Sequence, residues 1–444
     1  MARGTTDEAF LQAMLDVEAA LAEELSALGH IPESHAVTVR SCAVASRFPI
    51  EDLADRALEG GNPVIPFVAD LRRVVQGLEE GAGASVHLGA TSQDVIDSAL
   101  MVLAHRSIGV VLADLARASE AAATLARTHR GTVMAGRTLT QHATPITFGL
   151  KAARWLDGLT QVAEDLRAAR RRMPVQLGGA AGTLAASALR AGPEAALALV
   201  DGVAARLGLA APVLPWHTQR LPVTRTGDAL AGCASALGTI AADVSLLSRY
   251  EIGEVSESGG QGKGGSSAMP QKRNPVTSVL LSAACAPAAG RAAELHRAAI
   301  SLDERPPGAW HSEWAILRDL LREVGGAASL AATLLEGLTV DAERMAANLE
   351  ATHGLVLAER LAVELGPLLG ADSLRALVTA AAGGSGLRNE LLGLRHSALP
   401  GGRLDEAEVG RLLDPSGYLG CAGHFIDRAL AAYFAGTLDS KVIS

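Results

Sequence analysis

The sequence predicts an all-α fold with long helices. Its 444 residues are 49% hydrophobic but only 3% aromatic, so the apolar content is mostly alanine, leucine and valine. Alanine and leucine stand at the top of the helix-propensity ranking. Apolar residues also recur at the spacing of a helix face over several long stretches. Composition and periodicity together therefore favour closely packed helices.

The first part of the chain reads as a small N-terminal helical domain, which we assign to residues 1–85. Short helical patterns fill residues 10–80, with breaks where glycine and proline cluster, at residues 29–32, 48–49 and 60–63. These residues interrupt helices because they either favour other backbone conformations or lack an N–H donor.

A much longer helix is predicted from Ser92 to about Arg130. Thr91 and Asp94 have the spacing of a capping box, and Gly131 is suited to end the helix. At ~1.5 Å per residue such a helix is roughly 55–60 Å long. A helix of this length needs packing partners along its whole extent.

Four more long helical patterns follow, and we group all five into an elongated central bundle over residues 86–338. The four patterns run approximately over residues 145–172, 226–251, 275–300 and 311–338. From about Asp341 the pattern returns to short helices with Gly-Gly breaks, so a C-terminal helical domain is assigned to residues 339–444. Ala-rich helices of this length typically pack against further copies of the same chain.

Charge and cysteine usage narrow the function classes. The net charge is −9, so no nucleic-acid partner is expected. The N-terminus lacks the apolar region of a signal peptide, and we find no uninterrupted apolar run of bilayer length. The four cysteines are widely spaced, which favours free thiols in a reducing compartment. We therefore expect a cytoplasmic protein with no membrane partner and no metal site.

The segment Gly264–Pro275 is the most informative part of the chain, because it combines chemical groups that catalysis needs. It places two serines on a glycine-rich stretch, and a lysine, an arginine and an asparagine follow directly before a proline. Glycine lets a backbone approach a ligand closely. A long polar segment inside a helical chain is typically functional or disordered, and the clustered cations favour function.

Three segments together resemble the signatures of the fumarase/aspartase superfamily of lyases. They are residues 86–94 (VHLGATSQD), 136–145 (GRTLTQHATP) and 264–275 (GGSSAMPQKRNP). Stretches at residues 215–220, 308–314 and 413–420 bring the resemblance closest to the 3-carboxy-cis,cis-muconate cycloisomerase branch. The resemblance extends over nearly the whole chain.

The resemblance implies a reaction and an assembly. Members of the superfamily make or break a C–N or C–O bond β to a carboxylate by way of a carbanion that delocalises into that carboxylate. They are homotetramers in which three subunits build each shared active site, and they use no metal or organic cofactor. The expected substrate is a small anionic polycarboxylate.

Within the Gly264–Pro275 motif, the resemblance assigns Ser266 as the catalytic base. A serine hydroxyl needs nearby donors or cations to stabilise its alkoxide. Lys272 and Asn274 correspond to contacts with the substrate or the aci-carboxylate. The alternative is that these are ordinary polar side chains of a solvent-exposed loop.

Further anion-binding candidates lie elsewhere. Thr91 and Ser92 stand at a predicted helix start, where N–H groups and hydroxyls attract a carboxylate. His87 occupies a histidine position of the family motif, although a lone histidine is often structural. Arg220 is a candidate for binding a substrate carboxylate bidentately, with a salt bridge on the protein surface as the alternative.

The segment 136–145 departs from many superfamily members, which read Thr-His-x-Gln there. Leu139 takes the place of that histidine and cannot transfer a proton. The cycloisomerase branch also lacks it, so the departure favours this branch. His142 is the remaining candidate acid, since it titrates in a useful range, and Gln141 is assigned to substrate binding by the resemblance.

Two alternatives stay open for the function. One is a lyase acting on another succinyl-type anion, adenylosuccinate-like or from secondary metabolism. The other is a scaffold that keeps the fold without turnover.

Overall fold

The chain forms two compact units in the computed structural model, which describes residues 2–258, 264–265, 269 and 272–442. The first unit comprises Met1–Leu115, Val162–Gly238 and Leu281–Ser329, and the second comprises Ala116–Gln161, Thr239–Leu280 and Leu330–Ser444. Each unit thus draws on three separate stretches of sequence. The division into residues 1–85, 86–338 and 339–444 follows chain order instead and stays a prediction.

Helices dominate the described residues, and the all-α prediction is confirmed. The first nine are α1 (Asp7–Ala27), α2 (Glu33–Cys42), α3 (Ile50–Gly60), α4 (Val64–Leu78), α5 (Ser92–Thr128), α6 (Phe148–Arg171), α7 (Ala185–Ala191), α8 (Pro193–Leu207) and α9 (Leu221–Leu247). The others are α10 (Val276–Cys285), α11 (Ala288–Ala298), α12 (Ala309–Glu336), α13 (Ala342–Glu350), α14 (Ala358–Leu369), α15 (Ala371–Ala380), α16 (Leu387–Gly393), α17 (Glu406–Leu412) and α18 (Ala422–Val442).

The long helices lie close to where periodicity predicted them, with one exception. Helix α5 runs for 37 residues from Ser92, as expected from its capping signal. The single helix predicted over residues 275–300 is wrong, because the chain there forms α10 and α11. Pro287 separates them, since proline has no N–H to continue the helical hydrogen-bond pattern.

Four short strands, which sequence periodicity did not indicate, form two antiparallel pairs in the second unit. Strands β1 (Val133–Thr138) and β2 (Gln141–Thr147) form a hairpin, and β3 (Val255–Glu257) pairs with β4 (Leu338–Val340). A register shift near Gly136 marks a bulge in β1. A Cβ atom at Gly136 would lie 2.6 Å from the carbonyl oxygen of Thr144, so only glycine fits there.

Each unit has its own hydrophobic core. In the first unit, fully buried side chains come from α1, α4 and α5; they include Leu15, Phe67, Leu71, Ile96 and Leu100. In the second unit, the C-terminal helices enclose a leucine-rich cluster that includes Leu361, Leu387, Leu391 and Val409. Burial of such side chains contributes ~1.5–3 kcal/mol each.

By length and composition alone, three helical segments in the described chain are apolar enough to cross a membrane. They are Ser92–Thr128, Leu221–Leu247 and Val276–Ala298. Polar residues interrupt each of them, in keeping with the expectation that no uninterrupted apolar run reaches this length. The apolar window of the first is 72% buried within the protein, compared with 44% and 22% for the other two. The apolar residues of α5 are therefore mostly part of the hydrophobic core, whereas the other two segments leave more of their apolar residues exposed.

Candidate active site

In the first unit, Thr91 and Ser92 lie at the start of α5, as predicted. The Asp94 carboxylate accepts a hydrogen bond from the Thr91 N–H at 3.0 Å, which is one of the two bonds of a capping box. Thr91 and Ser92 are both partly exposed. The helix start therefore presents two hydroxyls beside the unpaired N–H groups of its first turn, an arrangement suited to an anion.

Asp94 also ties this helix start to a buried turn. Its carboxylate accepts hydrogen bonds from the N–H groups of Gly178 and Gly179, each at 2.9 Å, and lies 2.8 Å from Nε2 of His217. A Cβ atom at Gly178 would meet the Pro215 side chain at 2.8 Å, so the turn requires glycine. No role beyond capping was predicted for Asp94, yet its contacts hold the start of α5, the Gly178–Gly179 turn and His217 together.

Arg305, which was not predicted from the sequence, contacts the start of α5. Its Nη2 donates to the Thr91 hydroxyl at 2.9 Å, and its Nε donates to Gln93 Oε1 at 3.1 Å. The guanidinium also lies 5.9 Å from the ring centroid of Trp310. Arg305 thus places a cation at the helix start. Because the contact joins residues 214 positions apart, a single sequence gives no sign of it.

His87 lies in the first unit in a left-handed backbone conformation, with φ of 60°. Glu18 of α1 accepts hydrogen bonds from its backbone N–H at 2.9 Å and from its ring Nδ1 at 2.6 Å. Burial by itself lowers the pKa of His87, but the charge and hydrogen bond of Glu18 outweigh it, so the pKa is raised. The structure therefore favours a charged His87.

Arg220 is fully buried, and its guanidinium is bonded to two carboxylates. Asp97 accepts two hydrogen bonds from its guanidinium, at 2.7 and 2.9 Å, and Glu313 accepts another at 2.6 Å. Trp310 Nε1 also donates to Asp97, at 2.9 Å. The pKa of Glu313 is raised, mainly because the carboxyl is buried. These contacts favour an ion pair over a contact with substrate for Arg220, but the pair is buried and not the surface salt bridge that was the predicted alternative.

In the second unit, the family segment 136–145 forms the tip of the β1–β2 hairpin. The two turn residues, Leu139 and Thr140, have φ of 48° and 69°. Positive φ at both central residues is the geometry of a type I′ turn, which usually takes asparagine and glycine. The Leu139 side chain is 96% exposed. The position where many superfamily members carry a histidine is thus a strained and projecting turn.

His142 and Gln141 follow this turn on β2, and both are exposed. The pKa of His142 is lowered, first by partial burial and then by the positive charge of Arg137, while Glu254 opposes the shift. A lowered pKa leaves His142 mostly neutral at neutral pH. As a general acid it would therefore be poorly populated in its protonated form.

A buried ion pair connects the hairpin to the strand that leads into the signature segment. Arg137 of β1 donates to both carboxylate oxygens of Glu254, and Asn348 of α13 donates to the same carboxylate at 2.8 Å. Glu254 directly precedes β3, after which the signature segment begins. The Arg137–Glu254 pair therefore joins the hairpin to the residue that precedes β3.

The two ends of the signature segment bond to each other. The backbone N–H and the side-chain amide of Asn274 both donate to the Gly264 carbonyl, at 2.9 and 3.2 Å. Gly264 has φ of 73°, and a Cβ there would lie 2.5 Å from the Asn274 carbonyl oxygen. The amide of Asn274 thus closes the segment. Ser266, the predicted base, lies outside the described residues.

Lys272 is exposed and lies on the wall of a wide cleft. The cleft has a volume of ≈1630 Å³, and Gly264, Asn274 and Thr277 also line it. A cavity of this size is ample for a small polycarboxylate. Lys272 therefore presents its ammonium group where an anion can reach it.

The structure places the predicted residues in two groups. His87, Thr91, Ser92 and Arg220 lie in the first unit, whereas Gln141, His142, Lys272 and Asn274 lie in the second. In the part of the chain that the structure describes, histidine, cysteine, aspartate and glutamate side chains form no group of three suited to a metal ion.

Comparison with known proteins agrees with this geometry. A family model described as lyase matches residues 3–290. The chain belongs to the fumarase/aspartase superfamily of lyases. The resemblance drawn from the three signature segments is thereby confirmed, and the protein is an enzyme of this superfamily.

Individual relatives differ in their activities. The chain is 46% identical to nitrosuccinate lyase of Streptomyces davaonensis over 96% of its length and 91% of that protein. It is 43% identical to 3-carboxy-cis,cis-muconate cycloisomerase of Pseudomonas aeruginosa over 97% of its length and 93% of that protein. The solved 3-carboxy-cis,cis-muconate lactonizing enzyme of Pseudomonas putida matches with a TM-score of 0.89 at 36% identity, covering 97% of this chain and 96% of that one.

Proposed function

We propose that this enzyme is a 3-carboxy-cis,cis-muconate cycloisomerase of protocatechuate degradation. It would add a substrate carboxylate reversibly to the carbon β to a second carboxylate. Leu139 holds the position of the proton-donating histidine of related lyases and projects from a strained turn, so it disfavours reactions that need a proton donor there. The 43% identity to a 3-carboxy-cis,cis-muconate cycloisomerase supports the lactonising reaction among those that remain. A carboxylate leaves as a weak base, so its departure needs no proton donor at this position.

The chemistry needs one proton and one anion-stabilising group. In the lactonising direction a substrate carboxylate oxygen forms a C–O bond to the β carbon, and the alkene electrons move into the second carboxylate. Ser266 then gives its hydroxyl proton to the α carbon. Lys272 stabilises the intermediate carboxylate while its negative charge increases. In the reverse direction Ser266 takes the proton back and the C–O bond breaks.

Nitrosuccinate is the second candidate substrate, and the 46% identity to nitrosuccinate lyase favours it. Elimination would break the C–N bond β to a carboxylate and release nitrite and fumarate. Nitrite is also a weak base, so Leu139 is compatible with this reaction too. An amine leaving group, as in adenylosuccinate, is disfavoured because it needs a proton to depart.

Parallel assays of the purified protein distinguish these candidates. We expect loss of the ultraviolet absorbance of 3-carboxymuconate and no turnover of adenylosuccinate. If the protein releases nitrite from nitrosuccinate, measured colorimetrically, and leaves carboxymuconate unchanged, the second candidate is correct instead. Inactivity on all three substrates would contradict both candidates and favour a lyase that acts on another succinyl-type anion.

We also propose a cytoplasmic homotetramer with shared active sites. Exposed apolar residues on α10 support an interface with further copies, because Val279 and Leu280 are 54% and 51% exposed. A second copy covering this surface would also account for the apolar segment Val276–Ala298. Free thiols at all four cysteines support a reducing compartment. Sedimentation of an active monomer near 45 kDa would contradict the tetramer.

A further inference from the structure

Glu18 of α1 is a buried carboxylate whose two oxygens both bond to one residue. It is 1% exposed, and its oxygens accept from the backbone N–H and the ring Nδ1 of His87. A buried charge is costly unless it is paired. A protonated imidazole suits this carboxylate as a partner, because it carries the opposite charge and donates a hydrogen bond to it.

The contact with Glu18 also stabilises an unusual backbone conformation at His87. A φ of 60° lies in the left-handed region, which residues other than glycine seldom adopt. Glu18 holds the backbone N–H and the side chain of His87 at the same time. It therefore fixes both the unusual backbone conformation and the direction of the ring.

This orientation leaves one ring nitrogen for a ligand. With Nδ1 committed to Glu18, Nε2 is the remaining donor, and the His87 side chain keeps 15% exposure. The charged groups that face His87 are Glu18 of α1, Arg72 of α4 and Asp94 of α5. Two of the three are anions, so the surroundings favour a protonated ring.

We propose that Glu18 is a positioning residue that keeps His87 protonated and directs its Nε2–H toward a carboxylate of the substrate. The ligand class rests on the proposed function, since an anionic substrate is what a charged His87 would attract. Glu18 itself touches no substrate. Its effect on the reaction passes through the charge and direction of His87.

The matched pair Glu18→Gln and Glu24→Gln tests this proposal. Both remove one negative charge from α1, but Glu24 pairs with Arg206 instead of His87. Glutamine at position 18 can still accept from the backbone N–H of His87. NMR titration of labelled histidine, assigned with His87→Gln, reports the pKa of His87 without any substrate.

We expect the wild-type His87 to titrate above its ordinary pKa of 6.5. In Glu18→Gln the titration should move below that value, because burial is no longer opposed by a carboxylate. The KM of the substrate found by the parallel assays should rise about tenfold at pH 7, the effect of about one pKa unit, with kcat little changed. Glu24→Gln should leave both quantities at wild-type values.

The NMR and kinetic results separate the two proposals. If no assayed substrate is turned over, the titration still tests Glu18, and the affinity for fumarate as a simple dicarboxylate replaces KM. A variant Glu18→Gln that melts at lower temperature but leaves the His87 titration unchanged would overturn the proposal. An unchanged KM alongside a shifted titration would equally overturn the contact between His87 and substrate.

Discussion

Arg137 and Glu254 form a buried bidentate ion pair, with nitrogen–oxygen distances of 2.9 and 2.6 Å. The Glu254 side chain is fully buried and that of Arg137 is 11% exposed. One residue belongs to the β1–β2 hairpin and the other precedes β3, so the pair joins two segments that are remote in sequence. Its removal should therefore affect both folding and turnover.

Arg137→Met should lower the free energy of unfolding by about 3–5 kcal/mol, because it leaves the buried Glu254 carboxylate without its cation. Adding Glu254→Met should recover part of that loss, since no uncompensated charge remains. Urea denaturation of both variants measures the difference. As a control, Arg130→Met breaks an exposed pair with Asp427 and should cost much less. A double variant less stable than the single one would contradict this account.

Ser266→Ala should lower kcat by about 10²–10⁴ while sparing substrate binding. The hydroxyl is proposed to move the proton, whereas Lys272 and the helix start of α5 attract the anion. Single-turnover kinetics and the affinity for fumarate measure the two effects separately. A variant that retains wild-type kcat would show that another group is the base.

Lys272→Met should raise KM and lower kcat together. The ammonium group is proposed to contact a carboxylate in the ground state and to stabilise it further when it gains charge in the transition state. Steady-state kinetics on the best substrate provide both constants. If kcat/KM stayed at the wild-type value, Lys272 would have no contact with the reacting molecule.

The long helices were predictable because their signal is local. Apolar periodicity and the Thr91–Asp94 spacing located the start of α5 to the residue. The hairpin was not predictable, because its turn uses Leu139 and Thr140 where asparagine and glycine normally mark a type I′ turn. Pro287 did carry a local signal for the break between α10 and α11, but the apolar pattern on either side concealed it.

The site was predictable only where a motif carries it. Thr91 and Lys272 lie in family segments, and the structure puts the first at a helix start and the second on a cleft. Contacts such as Arg305 with Thr91 join distant parts of the chain, so a single sequence cannot reveal them. The same holds for Arg220, whose two buried carboxylates, Asp97 and Glu313, become neighbours only on folding.

His142→Asn tests whether His142 replaces the missing proton donor or whether the reaction needs no proton donor. A general acid must be protonated to act, yet partial burial and Arg137 lower the pKa of His142 below its ordinary value of 6.5. The ring is therefore mostly neutral between pH 6.5 and 8. A carboxylate leaving group departs without being protonated, whereas an amine leaving group needs a proton from a general acid.

On the cycloisomerase proposal we expect a loss of tenfold or less, on the order of a lost hydrogen bond, and little change in the profile of kcat/KM between pH 6 and 8. A lyase that expels an amine and uses His142 as its acid would instead lose about a thousandfold, and the fall in activity as pH rises through the pKa of His142 would disappear. The measurement is kcat/KM against pH for the wild type and the variant on the same substrate. A large loss on carboxymuconate would contradict the claim that lactonisation needs no dedicated acid, because the only change is the removal of a titrating ring beside the Leu139 turn.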